Sequence, residues 1–214
     1  MDEEISIINN ETKKEKVLNF FKSNKKKLFL LLIILILIPF SIFSYQIIKD
    51  KNKDKLSSKF NLAVSNYENG NKSEIKSIMK EIINNKDKTY SPLALYFLID
   101  NDLIENQKEV NELFRILIDK TSLEKEIRNL IIYKKALYNA DSINENELLD
   151  ILKPVINSES VWTSHALYLI AEFFYSKNEK QKSKEFFNKI ISLDNANKEI
   201  IKESQKRLNR DLSE

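Results

Sequence analysis

Few side chains in this sequence have types and spacing suited to acid–base, nucleophilic or metal chemistry. His165 is the one histidine among 214 residues, and histidine is the side chain whose ordinary pKa lies near neutrality. It falls one helical turn before Tyr168 and two before Glu172. There is no cysteine, so disulfides and thiolate metal sites are excluded. The nearest approach to a ligand cluster is Glu145, Glu147 and Asp150, at the start of one helix. Carboxylates are expected there from the helix dipole alone. The one glycine, Gly70, is too few for a phosphate-cradling loop, whose backbone must approach the anion at several glycines. The same shortage argues against β-hairpins. No catalytic, cofactor-binding or metal-binding residue is assigned, no cofactor is expected, and a non-enzymatic role follows.

The elements that position these residues begin with an apolar run. From Leu28 to Ile48 the chain reads LFLLLIILILIPFSIFSYQII, with no charge, between Lys27 and Lys49. Twenty-one residues at about 1.5 Å each cover roughly the ~30 Å hydrocarbon core of a bilayer. In lipid the backbone must satisfy its own hydrogen bonds, so this segment is expected to be a transmembrane helix, with Pro39 tolerated as a possible kink. The competing reading is a cleaved signal peptide. The 27-residue leader is long for one, and no A-x-A-like site follows. Lysines number seven over residues 13–27 and five over 49–63, which favours the N-terminus inside.

The net charge of +3 is concentrated near that segment. The tail 1–27 combines seven lysines with the acids Asp2, Glu3, Glu4, Glu11 and Glu15. The remainder is almost neutral, which argues against a nucleic-acid partner, for which a basic face is expected. Within the tail, Val17, Leu18, Phe20 and Phe21 stand beside lysines. They read either as a short amphipathic turn at headgroup level or as an unstructured basic flank. Only four of 35 basic residues are arginine, and lysine and asparagine are abundant throughout. Stretches rich in either are therefore given little functional weight.

After a polar linker at 49–56, apolar residues recur at three and four spacing to about residue 212. Polar breaks divide them into helix pairs at roughly 57–86, 91–119, 122–157 and 161–194, with a closing helix near 197–211. Ser91-Pro92 reads as a helix start, and Thr121 with Glu124 and Ser142 with Glu145 have capping-box spacing. Gly70 reads as a C-terminal glycine and Pro154 as a kink or stop. A helix pair cannot bury its apolar stripe alone, so neighbouring pairs must stack.

The last pair, ALYLIAEFFYSKNEKQKSKEFFNKIISLDNAN, resembles a tetratricopeptide repeat. Leu167, Ile170, Ala171, Phe174 and Tyr175 occupy its first helix, Asn178 the usual turn glycine, and Ser183 the small position of the second helix. The first pair is similar through Leu62, Ala63, Tyr67, Gly70, Ile75, Met79 and Ile82. The fold class expected is all-α: an N-terminal transmembrane helix followed by a tetratricopeptide-like helical-hairpin solenoid. The whole layout resembles the ancillary-subunit family of the bacterial SecYEG translocon, with Thr163 and Tyr168 departing from its pattern. The resemblance implies an inner-membrane protein with a cytoplasmic N-terminus and a periplasmic domain. It also implies three protein partners: the Sec translocon, a membrane-anchored periplasmic chaperone, and exported chains.

First helices line the groove of such stacks. On register these positions are Phe60, Val64 and Tyr67 in the first pair, and His165, Tyr168, Glu172 and Tyr175 in the last. They read either as a groove for a peptide segment or as residues covered by the next helix. Trp162 reads as core rather than a ligand platform. The function expected is a membrane-anchored interaction scaffold for protein export. The alternative is a scaffold for another envelope process, such as cell division or outer-membrane assembly.

Overall fold

The computed structural model describes residues 16 and 18–212, the side chains of residues 28, 31, 42, 45 and 49 excepted. The tail acids, Lys13, Lys14 and Val17 lie outside the described residues. Among the described residues all regular structure is helical, as the glycine-poor, three-four-spaced sequence requires. Residues 18–23 are helical and are followed by a turn at Asn24. The helices are α1 (Lys25–Ser65), α2 (Lys72–Asn84), α3 (Tyr90–Asp100), α4 (Gln107–Lys120), α5 (Lys125–Asn139), α6 (Glu145–Ile156), α7 (Thr163–Ser176), α8 (Lys180–Ile191) and α9 (Lys198–Asp211). Contacts divide the chain into two units, Met1–Lys55 and Leu56–Glu214.

The first unit contains one helix near the N-terminus that is long and apolar enough to cross a membrane. Pro39 sits inside α1 without ending it. The described large apolar side chains of residues 29–48 are exposed, from 38% at Ile33 to 68% at Phe40. No protein surface covers them.

The second unit buries the same residue types. α2 carries Ile75, Met79, Ile82 and Ile83 inward, at three and four spacing. They pack with Ala94, Leu95 and Leu98 of α3 and Val110, Leu113, Phe114 and Leu117 of α4. A second cluster joins Ala136, Leu148, Leu152 and Val155 to Ala166, Ile170 and Phe174. A third joins Leu167, Ala171, Phe187 and Ile190, with Ile200, Ile201 and Leu208 of α9 against them. Each helix from α2 packs on its successor, and α2 on α4, α5 on α7 and α7 on α9 are also in contact. Burying a phenylalanine such as Phe114 or Phe187 contributes about 2–3 kcal/mol.

Several expected helix ends fall elsewhere, for physical reasons. Asparagine, not serine or threonine, supplies the N-caps: the Asn71, Asn106, Asn144 and Asn197 side chains accept from first-turn N–H groups. The capping box is Asn144 with Glu147, two residues beyond the expected Ser142–Glu145; Ser142 instead donates to the Asn139 carbonyl. Thr121 is the C-cap of α4, and its hydroxyl donates to the Ile116 carbonyl, so it does not pair with Glu124. α3 begins at Tyr90, where the Asp87 carboxylate accepts from the N–H groups of Thr89 and Tyr90, both at 2.8 Å. Ser91 therefore lies inside the helix, buried, and donates to the Ile82 carbonyl of α2 at 2.8 Å. Gly70 has no positive φ and precedes the cap of α2 rather than terminating α1. Left-handed turn residues are Lys86, Asp102 and Asn178. Asp102 and Asn178 close Schellman turns, with Leu103 N–H on the Leu98 carbonyl and Glu179 N–H on the Phe174 carbonyl, both at 2.9 Å. α6 ends two residues after Pro154.

Candidate functional site

Two of the three expected groove positions of the first pair, Phe60 and Tyr67, are packed on α3. Phe60 lies 6.0 Å from the Tyr90 ring and 6.4 Å from Phe97, and Tyr67 meets Phe97 edge-on at 5.2 Å. The Lys72 ammonium sits 5.6 Å above the Tyr67 ring. Val64, between them in sequence, is exposed. The structure thus brings Phe60 and Tyr67 together on one aromatic partner and leaves Val64 apart.

The four positions of the last pair divide in two. His165 is half-buried in an aromatic corner, 5.1 Å from Trp162 and 6.0 Å from Tyr133, which itself stacks on Trp162. Burial pushes the imidazole pKa below its ordinary value, with a hydrogen bond at the Val161 backbone opposing the shift. The ring packs against Trp162 and Tyr133.

Tyr168, Glu172 and Tyr175 are gathered by a residue that the sequence reading passed over. Arg207 of α9 donates to both Glu172 carboxylate oxygens at 2.7 Å and lies 4.2 Å over the Tyr175 ring. It also pairs with Asp211 one turn on. Tyr168 packs edge-on against Phe187 at 5.4 Å. Its hydroxyl is pushed up to about 12, by burial first and the Glu172 carboxylate second. Arg207 is held above its ordinary value, chiefly by its hydrogen bonds to Glu172. The available signal was arginine itself: one of four in a lysine-rich chain, at a place that needs a planar, bidentate, ring-stacking cation.

Two of the three residues of the acidic cluster are likewise engaged. Glu147 closes the capping box of α6. Glu145 accepts from Lys182 of α8 at 2.8 Å, and Lys182 also lies over the Phe174 ring. Among the described residues, no group of three or more carboxylates or imidazoles is placed to hold a metal ion.

An open apolar recess lies elsewhere, between α3 and α5. Pro92, Leu93, Tyr96, Leu123, Ile127 and Leu130 line a hollow of about 450 Å³, with Lys88 and Glu124 at its mouth. Leu93 and Ile127 are exposed at 44% and 41%. The Tyr96 hydroxyl is buried and has no hydrogen-bond partner. Burial, with the Asp100 charge, pushes it up to about 12. The signal in the sequence was α3, YSPLALYFLID, which is apolar on more faces than one packing stripe consumes.

No family model, curated protein or solved structure matches this chain.

Proposed function

We propose that the chain is a membrane-anchored, non-enzymatic protein-interaction scaffold. Residues 28–48 cross the bacterial inner membrane once, with the N-terminus cytoplasmic and the helical body periplasmic. One observation carries the anchor: twenty uncharged residues, 29–48, present leucines, isoleucines and phenylalanines with no protein cover. In water that surface would be covered or aggregated, and in lipid it is satisfied.

The body is read as a tetratricopeptide-like solenoid. This reading is supported by the succession of short helices and by the contacts between alternate helices, such as α5 on α7. Also in its favour are the fully buried small residues Ala94, Ala136, Ala166, Ala171 and Ser183 where helices approach closely. Support for binding rather than turnover is that Glu145, Glu147 and Glu172 are engaged in ion pairs and a cap and His165 packs among aromatic rings. The layout supports an ancillary role at the Sec translocon, linking it to a periplasmic chaperone for exported chains. The α3/α5 recess is the docking position for a partner side chain.

The test is purification of the tagged full chain after mild detergent extraction, beside Leu93→Asp/Ile127→Asp. Translocon subunits and an anchored chaperone are expected with the unaltered chain, with at least one of them lost from the variant. Recovery of division or outer-membrane assembly machinery instead would replace this reading with the other envelope scaffold.

A further inference from the structure

The two ends of the apolar segment are chemically unequal. On the N-terminal side, Lys16, Lys22, Lys25, Lys26 and Lys27 are exposed, and no aspartate or glutamate occurs from residue 16 to residue 49. On the other side, Lys51, Lys53 and Lys55 alternate with Asp50 and Asp54. From Lys16 to the apolar segment no carboxylate is interspersed among the lysines, the nearest acid in sequence being Glu15.

Apolar side chains accompany that charge. Leu18, Phe20 and Phe21 are exposed at 57–58%, and the two phenylalanine rings meet edge-on at 6.2 Å. They belong to the helical turn 18–23, which is closed off before α1. The Phe20 carbonyl accepts from the Ser23 hydroxyl at 3.2 Å, the Asn24 side-chain amide at 3.1 Å and the Asn24 N–H at 3.0 Å. One turn residue, Asn24, separates this helical stretch from α1 and permits a change of axis there. The stretch can lie along an interface while α1 crosses one.

We infer that Lys16 and residues 18–27 form a binding site for anionic phospholipid headgroups, with Phe20 and Phe21 inserted between acyl chains and the lysines on the phosphates. Two features select the occupant. The charge is complementary to an anionic leaflet, and the site runs without a break into the segment that enters the hydrocarbon. A zwitterionic surface would take the phenylalanines but leave the lysines without a net countercharge. The far collar, where Asp50 and Asp54 are interspersed among Lys49, Lys51, Lys53 and Lys55, keeps a smaller excess of positive charge and so a weaker preference. The inference rests on residues 28–48 spanning a bilayer and is independent of which proteins the body binds.

The absence of cysteine makes the test clean. The full chain carries a single NBD-labelled cysteine, at Asn19→Cys in one sample and Asn52→Cys in another. Each is placed in phosphatidylcholine nanodiscs containing 10% of a doxyl-labelled lipid, either phosphatidylglycerol or phosphatidylcholine. At 50 mM salt the label at residue 19 is expected to be quenched about threefold or more strongly by the phosphatidylglycerol than by the phosphatidylcholine, consistent with several lysines each favouring an anionic surface. The ratio should approach one in 0.5 M salt and in the variant with Lys22, Lys25, Lys26 and Lys27 changed to Gln. At residue 52 the low-salt ratio should be clearly smaller than at residue 19. Phe20→Ser/Phe21→Ser should weaken quenching at residue 19 by both lipids. A ratio near one at residue 19 in low salt, or equal ratios at the two ends, overturns the inference. No quenching of either label by either lipid overturns the spanning reading, and this site with it.

Discussion

The leucines and isoleucines of residues 29–48 and those of the body from Leu56 onward follow opposite rules. In the first region Leu35 is 66% exposed and Ile36 59%. In the second, Leu95, Leu98, Ile82 and Ile131 are wholly buried. Residue type is the same in both, so hydrophobicity does not by itself decide burial. Pattern decides it. In the body, apolar residues come at three and four spacing with charges between, and each stripe meets another stripe. In residues 29–48 they cover every face, so no single neighbouring helix could satisfy them. Such a surface calls for an apolar solvent rather than an apolar partner.

The largest effect comes from making the first region obey the rule of the second. Leu35→Arg/Ile36→Arg places two charges at mid-segment, each costing about 2.5–3.5 kcal/mol in the bilayer. Most of the protein should leave the carbonate-resistant membrane fraction, while the body's unfolding, followed by Trp162 fluorescence, stays unchanged. The converse variant is Phe187→Ala, at a fully buried ring. It should lower the body's stability by about 3–5 kcal/mol in denaturant titration and leave membrane extraction untouched. If either variant moved both readouts, the comparison would fail.

A smaller effect is expected at the clasp between α7 and α9. Glu172→Gln keeps the shape but removes one charge from the bidentate pair with Arg207, and should cost about 1–2 kcal/mol because the pair is partly solvated. The pH dependence has a definite sign. Arg210 first, then Arg207, holds the Asp211 carboxyl down to about 2, below its ordinary value. Its contribution is therefore present above the ordinary carboxylate range and lost as pH falls toward about 2. Arg210→Ala should move the acid limb of the body's unfolding curve to higher pH. The smallest effect has the opposite sign. Ser183 is fully buried and its hydroxyl has no partner. Ser183→Ala should stabilise the body by up to about 1 kcal/mol, readable as a rise in thermal midpoint.

The helical class was legible, because glycine poverty and three-four spacing leave little else. The apolar segment was legible from length alone. Helix starts were less so. Asparagine was discounted as a compositional background, yet Asn71, Asn106, Asn144 and Asn197 are the caps, since the short amide oxygen reaches first-turn N–H groups as a serine hydroxyl does. Periodicity could not locate the surfaces left open after packing. It put Phe60 and Tyr67 on one helix face but could not foresee that Phe97 would meet them. It passed over Arg207, because side-chain reach across 35 residues of sequence is not a local property. The α3/α5 recess was hidden in the same way: Leu93 and Ile127 become neighbours only once α3 and α5 are folded.

The account depends above all on one crossing of the membrane, with the body on the outer side. In cells producing single-cysteine forms of this cysteine-free chain, a membrane-impermeant maleimide decides it directly. Asn195→Cys, exposed in the loop before α9, should be labelled in intact spheroplasts, and Asn19→Cys only after lysis. The reverse pattern would contradict the orientation, and equal labelling of both positions before lysis would contradict the crossing itself.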